Sequence, residues 1–371
     1  MSLLSNIILL VAQRCNLNCS YCYANGGHYG EAQQRMPEEI LQCTLERLLP
    51  LAAPRITLSF FGGEPLLNLP LMRRAVILAR QHGEEMGKAV RFALTTNGTL
   101  LNEAAVEFIR EHIHSLAVSL DGEEGVNDEA RRFRRGEKSV HAQVMEGLAR
   151  LRAAGVPFAL RATLTPANAS RTVKSARHLV AQKPVALRML PDFGGSDWSA
   201  TNLSSLVEGF ATLHEDALEH VLDGGQPHGA EGLYALLDNR LHGQVRERPC
   251  GAGNVMLAVA ADGSVYPCDH FVGRSEYCMG RVQDRDFPSP EFTRVQQQLE
   301  AKMQASRTAC GNCPVHNLCG GECPATLGPD NRPSTGFCYF KREILTDMGE
   351  RLDRLSQDGT LPAPLCRLVE A

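Results

Sequence analysis

The chain has no uninterrupted apolar run of about 18 residues, and no charged segment leads to a cleavage site ahead of "NIILLVA". Neither a membrane span nor a secretory signal is expected. It also lacks an excess of one charge. The 38 Lys and Arg against 42 Asp and Glu leave a net −4, which gives no support to general nucleic-acid binding. No internal repeat and no low-complexity segment is found. A soluble, cytoplasmic protein is expected, with neither nucleic acid nor membrane as a partner. Thiols stay reduced in that compartment, so the 13 cysteines do not read as a disulfide framework, and their clustered C-x2-C spacings suit metals.

What is present is a core-forming α/β pattern. At 371 residues and 43% hydrophobic side chains, the chain can bury a large core. Residues Asn6 to Val11, Ile56 to Phe60, Val90 to Thr95, Ser115 to Leu120, Phe158 to Thr163 and Val185 to Leu190 read as buried parallel strands. Amphipathic stretches lie between them. Pro37 stands where one helix begins and Gly155 where another ends. Six βα units predict a parallel (β/α)6 TIM-like barrel, closed or partial, with its chemistry at the C-terminal ends of the strands. The rhythm stops after about Pro191. Residues 203 to 222 predict one amphipathic helix, and "VMLAVAADGSVYPC" predicts a hairpin turning at Asp262-Gly263. The expected domains are a barrel over 1–200, a helical linker over 201–249 and a cysteine-rich module over 250–371.

Directly after the first strand, "RCNLNCSYCYA" places Cys15, Cys19 and Cys22 in a C-x3-C-x2-C array. Three thiolates on one loop can ligate three irons of a 4Fe-4S cube and leave the fourth iron open to an external ligand. A three-cysteine zinc site completed by His or Asp is the alternative, although zinc prefers paired short spacings. Tyr21 either covers the cluster or belongs to the core.

These residues resemble the radical S-adenosylmethionine (radical SAM) enzymes, whose C-x3-C-x-aromatic-C pattern the loop matches in full. The resemblance implies an open iron chelated by S-adenosylmethionine, and a 5′-deoxyadenosyl radical that abstracts hydrogen from substrate. Further segments resemble the family at the strand ends. "FFGGEP" carries Gly62, Gly63 and Glu64, which the resemblance assigns to the methionine ammonium, glycine allowing close approach. "TTNGT" carries Asn97, and "VSLDG" carries Ser119 and Asp121, implied contacts of the ribose or carboxylate. Arg161 is an implied partner of the methionine carboxylate, to which a guanidinium fork is matched. Each has a plainer reading as a turn, a cap or a salt bridge.

Cys250, the "GSVYPC" ending at Cys268, the C-x2-C-x5-C-x3-C run of Cys310, Cys313, Cys319 and Cys323, and Cys338 resemble the SPASM extension of radical SAM peptide maturases. That resemblance implies two auxiliary 4Fe-4S clusters, three clusters in all. Cys250, Cys268 and Cys323 would serve one, and Cys310, Cys313, Cys319 and Cys338 the other. Cys278 either completes the first auxiliary cluster or leaves it an open iron. Cys43 and Cys366 read as ordinary thiols.

Asp269, directly after Cys268, resembles the base of anaerobic sulfatase-maturing enzymes, and is otherwise a carboxylate bonded to the hairpin. The chain departs from those enzymes in reading "GGEPLLN" and in lacking an extra cysteine near Cys250. The expectation is therefore a radical SAM maturase of ribosomally made peptides, forming cross-links or excising backbone. A sulfatase activator that makes formylglycine is the alternative, and a non-catalytic iron-sulfur electron-transfer protein the second. Expected partners are a precursor peptide, a reductant such as flavodoxin or ferredoxin, and a separate leader-recognition protein, because strand one begins by residue 6. Arg131, Arg132, Arg134 and Arg135 offer charge to an acidic leader, or form a solvated loop.

Overall fold

The computed structural model describes residues 3–356 and 360–369. The strands among them are β1 (Leu4–Gln13), β2 (Gln34–Arg35), β3 (Ala52–Gly62), β4 (Ala89–Thr96), β5 (Ser115–Ser119), β6 (Ala159–Leu164), β7 (Ala186–Pro191), β8 (Met256–Val259) and β9 (Val265–Tyr266). The six predicted strands are present as β1, β3, β4, β5, β6 and β7, and the fold is α/β with a parallel sheet. The chain divides into two compact units. The first holds Met1–Leu120, Asn127–Ala159 and Gly251–Glu300, the second Asp121–Val126, Leu160–Cys250 and Ala301–Ala371.

In the first unit the strand order is β5-β4-β3-β1-β8-β9, with β2 on the flank of β1. Ile7 aligns with Leu58 on one side of β1 and with Leu257 on the other, and Leu58 aligns with Phe92. From Ile7 to Val11 no residue of β1 is more than 6% exposed, as befits a strand covered on both faces. Each such aliphatic side chain contributes about 1.5–3 kcal/mol relative to an exposed one. Phe60 stacks on Phe92 at 6.0 Å and tilts against Phe108 at 6.5 Å, joining two strands to the helix Glu103–His112. The helices are punctuated by side chains. Asn102 accepts from the Ala105 amide at 3.0 Å, and Ser139 from the Ala142 amide at 2.9 Å, each cap worth about 1 kcal/mol. Gly155, at φ +68°, closes the helix Val140–Ala153, with the Val156 amide bonded to the Leu151 carbonyl. Because β1, β3 and β4 are parallel, the segments that follow them leave the sheet at one edge.

The predicted hairpin is β8–β9. Asp262 makes its turn, accepting from the Ser264 amide at 3.0 Å and the Ser264 hydroxyl at 2.9 Å. Its partner was not foreseen: β8 lies parallel to β1 and extends the main sheet, so Gly251–Glu300 packs in the first unit.

In the second unit β6 and β7 are neighbours, and the helices Ala200–Leu222 and Thr335–Leu355 meet at Phe210 and Phe340, 5.0 Å apart edge to face. Between these helices the fully buried His214 places Nδ1 2.8 Å from Asp347 Oδ2, an oxygen that also accepts from Arg351 Nε at 2.9 Å. Among the described residues, no helix is long and apolar enough to cross a membrane.

Candidate functional site

The first cysteine loop leaves the end of β1, and its three thiols are half-buried. Amide groups point at them. The Leu17 N–H donates to Cys15 Sγ at 3.4 Å and the Gly26 N–H to Cys22 Sγ at 3.3 Å, while Asn97 Nδ2 stands 3.6 Å from Cys15 Sγ. Burial, with the Glu64 charge adding to it, pushes the Cys15 thiol up to about 12. Such a thiol keeps its proton until a metal displaces it. Soft sulfur donors framed by N–H groups fit an iron-sulfur cluster.

The glycines after β3 have a reason of their own. A Cβ on Gly62, whose φ is +132°, would lie 2.3 Å from the Ala12 carbonyl oxygen, and one on Gly63 would lie 2.4 Å from that of Arg14. The close approach that demands glycine is therefore made by the chain itself, sealed by the Gly63 amide on Ala12 at 2.9 Å and the Glu64 amide on Arg14 at 3.0 Å. Glu64 is fully buried. Its carboxylate accepts from the Leu66 amide at 3.0 Å, the Thr96 hydroxyl at 2.8 Å and the Asn97 amide at 2.7 Å. Burial pushes it up to about 6 against those three bonds. Asn97 then donates to Asn16 Oδ1 at 2.9 Å, and Asn16 to the Thr99 hydroxyl at 2.8 Å, which ties the turn after β4 to the cysteine loop.

Residues 130–134 form a second wall. The Asn18 amide donates to the Arg132 carbonyl at 2.8 Å, Ser20 to Ala130 at 2.9 Å and Arg134 to Asn16 at 3.1 Å, with Leu17 opposite Phe133 in an antiparallel bridge. Arg134 braces the loop at both ends: Nε donates to the Cys15 carbonyl at 3.0 Å and Nη2 to the Gly26 carbonyl at 2.9 Å. A Cβ on Gly26 would lie 2.0 Å from that nitrogen, so glycine makes the space. Arg131 is buried and donates to the Tyr21 hydroxyl at 2.9 Å, and its charge acts on Glu64. Of the four arginines read as a leader-facing or solvated loop, Arg131 is buried, Arg134 is exposed but spends its guanidinium on the cysteine loop, and Arg132 and Arg135 are exposed. Nothing local in "RRFRR" marks which of its arginines face in, since the partners lie more than a hundred residues away.

The hairpin brings Asp269 to the same loop. The Tyr23 hydroxyl, one residue past Cys22, donates to Asp269 Oδ2 at 2.5 Å, and the Tyr23 ring stacks on His270 at 3.9 Å. Desolvation of the hydroxyl end and the Asp269 carboxylate raise the Tyr23 phenol above its ordinary range, although the residue as a whole is half exposed. The Tyr29 hydroxyl is buried beside that of Tyr23, and Asp269, Cys22 and Cys268 all act on it electrostatically. Neither tyrosine was singled out from the sequence, although an aromatic directly after the third cysteine was a readable signal. Cys268 is buried just past β9. Cys278 is half-buried, with its Sγ 3.7 Å from the Gly280 carbonyl and its neighbour Met279 bonded to Val265. Ser119 is half-buried at the end of β5.

In the second unit Asp121 is fully buried and accepts from the Thr163 amide at 2.9 Å, and Arg161 is half-buried on β6. There Cys310, Cys313, Cys319 and Cys338 line one cavity with Arg307 and Lys341. Burial, reinforced by the neighbouring thiols, pushes Cys338 up to about 11 and also raises Cys310 and Cys319. Four sulfur donors on one cavity are a set that fits a cluster. Cys250 is exposed and Cys323 half-buried.

Comparison with known proteins agrees with this chemistry. Residues 9–179 match the radical SAM superfamily, and residues 250–314 match SPASM, an iron-sulfur cluster-binding domain. The chain thus carries a radical SAM domain and a SPASM domain, which support a radical SAM enzyme. Anaerobic sulfatase-maturating enzymes are among its relatives. The serine-type enzyme of Klebsiella aerogenes is 27% identical over 91% of this chain and 84% of its own length. The cysteine-type enzyme of Clostridium perfringens (strain 13 / Type A) is 25% identical over 86% and 88%. The solved structure of native anSMEcpe with bound AdoMet and Kp18Cys peptide superposes with a TM-score of 0.79 at 22% identity, over 95% of this chain and 98% of that one. A radical SAM domain with a SPASM domain implies S-adenosylmethionine and 4Fe-4S clusters, one that binds S-adenosylmethionine together with auxiliary ones. Of the two readings of its maturase activity, the relatives favour the sulfatase-maturating type over the cross-linking or excising one preferred from the departures at "GGEPLLN" and Cys250.

Proposed function

We propose that the chain oxidises a Cys or Ser side chain of a sulfatase-type peptide to formylglycine. The observation that carries this reading is the 2.5 Å bond from Tyr23 to Asp269, which sets a candidate base against the loop of Cys15, Cys19 and Cys22. When bound, the clusters and S-adenosylmethionine supply a 5′-deoxyadenosyl radical for hydrogen abstraction and an acceptor for the electron that the substrate then loses. The protein's own part is to hold the peptide and take its proton. Asp269 accepts the Ser hydroxyl proton as C=O forms, or the Cys thiol proton as the thioaldehyde C=S forms, which water then hydrolyses to the aldehyde with release of hydrogen sulfide, and Tyr23 fixes the carboxylate on the oxygen it donates to. Glu64 and Asn97 shape the wall beside Cys15, and with Gly62 and Gly63 they present backbone and side-chain acceptors to the methionine ammonium. Ser119, Asp121 and Arg161 are assigned to the ribose and carboxylate, and Tyr21 to the rim of the cluster.

In this reading Cys250, Cys268 and Cys323, with Cys278, hold the first auxiliary cluster, and Cys310, Cys313, Cys319 and Cys338 the second. Residues 1–200 act as the radical-generating domain, 201–249 as a helical linker and 250–371 as the cluster module. A flavodoxin or ferredoxin supplies the reducing electron, and a separate protein presents the leader where a substrate has one. The test is anaerobic turnover, with S-adenosylmethionine and a reductant, of sulfatase-derived peptides carrying Cys or Ser. The expected product is an aldehyde that a hydrazine reagent traps and mass spectrometry locates at the target residue. Cross-linked or shortened peptide without aldehyde would return the reading to the other type of maturase.

A further inference from the structure

The surroundings of the four thiols in the second unit are cationic and fixed in place. Arg307 Nη1 donates to the Arg246 carbonyl at 2.9 Å, and Nη2 lies 2.9 Å from His316 Nε2. Arg246 is anchored by its amide on the Asn317 carbonyl at 2.8 Å, and its stem fills the space beside Gly320, where a Cβ would lie 2.9 Å from Arg246 Cγ. Lys341 is held by an ion pair with Glu231. The charges reach the thiols, since Arg307 and Lys341 line the same cavity as Cys310, Cys313, Cys319 and Cys338. Two carboxylates oppose them. Glu231 is spent on Lys341, and Glu322, which raises Cys338, is tied to the Ser334 amide at 2.6 Å and the Thr326 hydroxyl at 3.3 Å.

We propose that Arg307, seconded by Lys341, sets the reduction potential of a 4Fe-4S cluster held by Cys310, Cys313, Cys319 and Cys338, stabilising its reduced form so that an electron comes to rest there. Four thiolates around a cube make an anion, and reduction adds one more negative charge. A fixed cation in the cavity wall favours that charge in proportion to its nearness and to how little water screens it. Arg307 is a positioning residue in this account, since it touches neither substrate nor S-adenosylmethionine. The proposal rests on the reading that these four cysteines hold a cluster.

The experiment is potentiometric titration of the anaerobically reconstituted full chain, followed by electron paramagnetic resonance, for the wild type, Arg307→Gln and Arg307→Lys. The expected result is that one midpoint potential moves lower in Arg307→Gln and returns towards the wild-type value in Arg307→Lys, with iron content unchanged in both. An unmoved set of potentials with iron retained would overturn the proposal, and so would loss of iron from Arg307→Gln, which would make the residue a structural support. Cys313→Ala provides the separate control. If it leaves iron content at the wild-type level, the cluster reading itself has failed and the potential was never Arg307's to set.

Discussion

The two thiol sites contained within single units are built from different neighbours. Around Cys15, Cys19 and Cys22 the chain supplies amide groups from Leu17, Gly26 and Asn97, and a buried carboxylate, Glu64, whose charge raises the Cys15 thiol. Around Cys310, Cys313, Cys319 and Cys338 it supplies Arg307 and Lys341 in the cavity wall, with Arg246 close behind. Adding an electron costs more beside a carboxylate than beside a guanidinium, all else equal. The first surroundings suit a centre that must give its electron away to cleave a sulfonium, and the second suit one that keeps it. In the proposed assignment the two clusters would differ in second-sphere charge, the guanidiniums of Arg131 and Arg134 at the first loop being spent on the Tyr21 hydroxyl and on backbone carbonyls.

The largest effect separating the two sites is expected from changing Cys15, Cys19 and Cys22 together to Ala. Formation of 5′-deoxyadenosine should vanish while about 8 of about 12 irons per chain remain. Chromatography of the nucleoside and an iron assay read the two results, and surviving cleavage would place the catalytic cluster elsewhere. Next in size is Asp269→Asn, expected to lower product by on the order of 10²-fold, because an amide does not accept the proton. Deuterium should still pass from labelled peptide into 5′-deoxyadenosine, and normal product formation would make Asp269 structural. Cys278→Ala belongs beside it, since loss of about one cluster's iron would make Cys278 a ligand.

A smaller effect is expected from Arg134→Ala, which removes the bonds to Cys15 and Gly26. At about 1 kcal/mol or more per bond, the first cluster should lose iron to a chelator roughly 10-fold faster, while the Cys310–Cys338 site is unchanged. The smallest concerns Glu64 in the iron-free protein. Its carboxyl is raised from 4.5 to about 6, so the folded state holds a proton that the unfolded state has released, and stability falls as pH rises through that window. The loss is about 2 kcal/mol, and Glu64→Gln should flatten that part of the pH profile in denaturant titrations.

The parts of this molecule that are local in sequence were legible. Six apolar runs gave six strands within a few residues of their ends, Asp262-Gly263 gave the hairpin, and the cysteine spacings gave the cluster chemistry. What was not legible depends on long-range pairing. β2 is two residues long and exists because Gln34 and Arg35 meet the end of β1. The place of β8 beside β1 follows from sheet packing, to which "VMLAV" contributes only apolarity. The bond from Tyr23 to Asp269 spans 246 residues, and that from Arg134 to Cys15 spans 119. A window of a dozen residues contains neither. The glycines of "FFGGEP" were noticed, but not the close approach that the Ala12 and Arg14 carbonyls make to them, because a motif shows that space is required but not everything that fills it.

The wall formed by residues 130–134 also fixes an order of assembly. Ribosomes release the chain from its N-terminus, so Cys15, Cys19 and Cys22 emerge before the residues that shape and shield them. At about 5–20 residues per second, Arg134 follows Cys22 by roughly 6–22 s. For that interval the three thiols are a flexible chelator open to any thiophilic ion, zinc included. Iron delivery productive for this enzyme therefore belongs after translation has passed the fifth strand, and cells short of iron but rich in zinc should accumulate a mis-metallated, full-length protein.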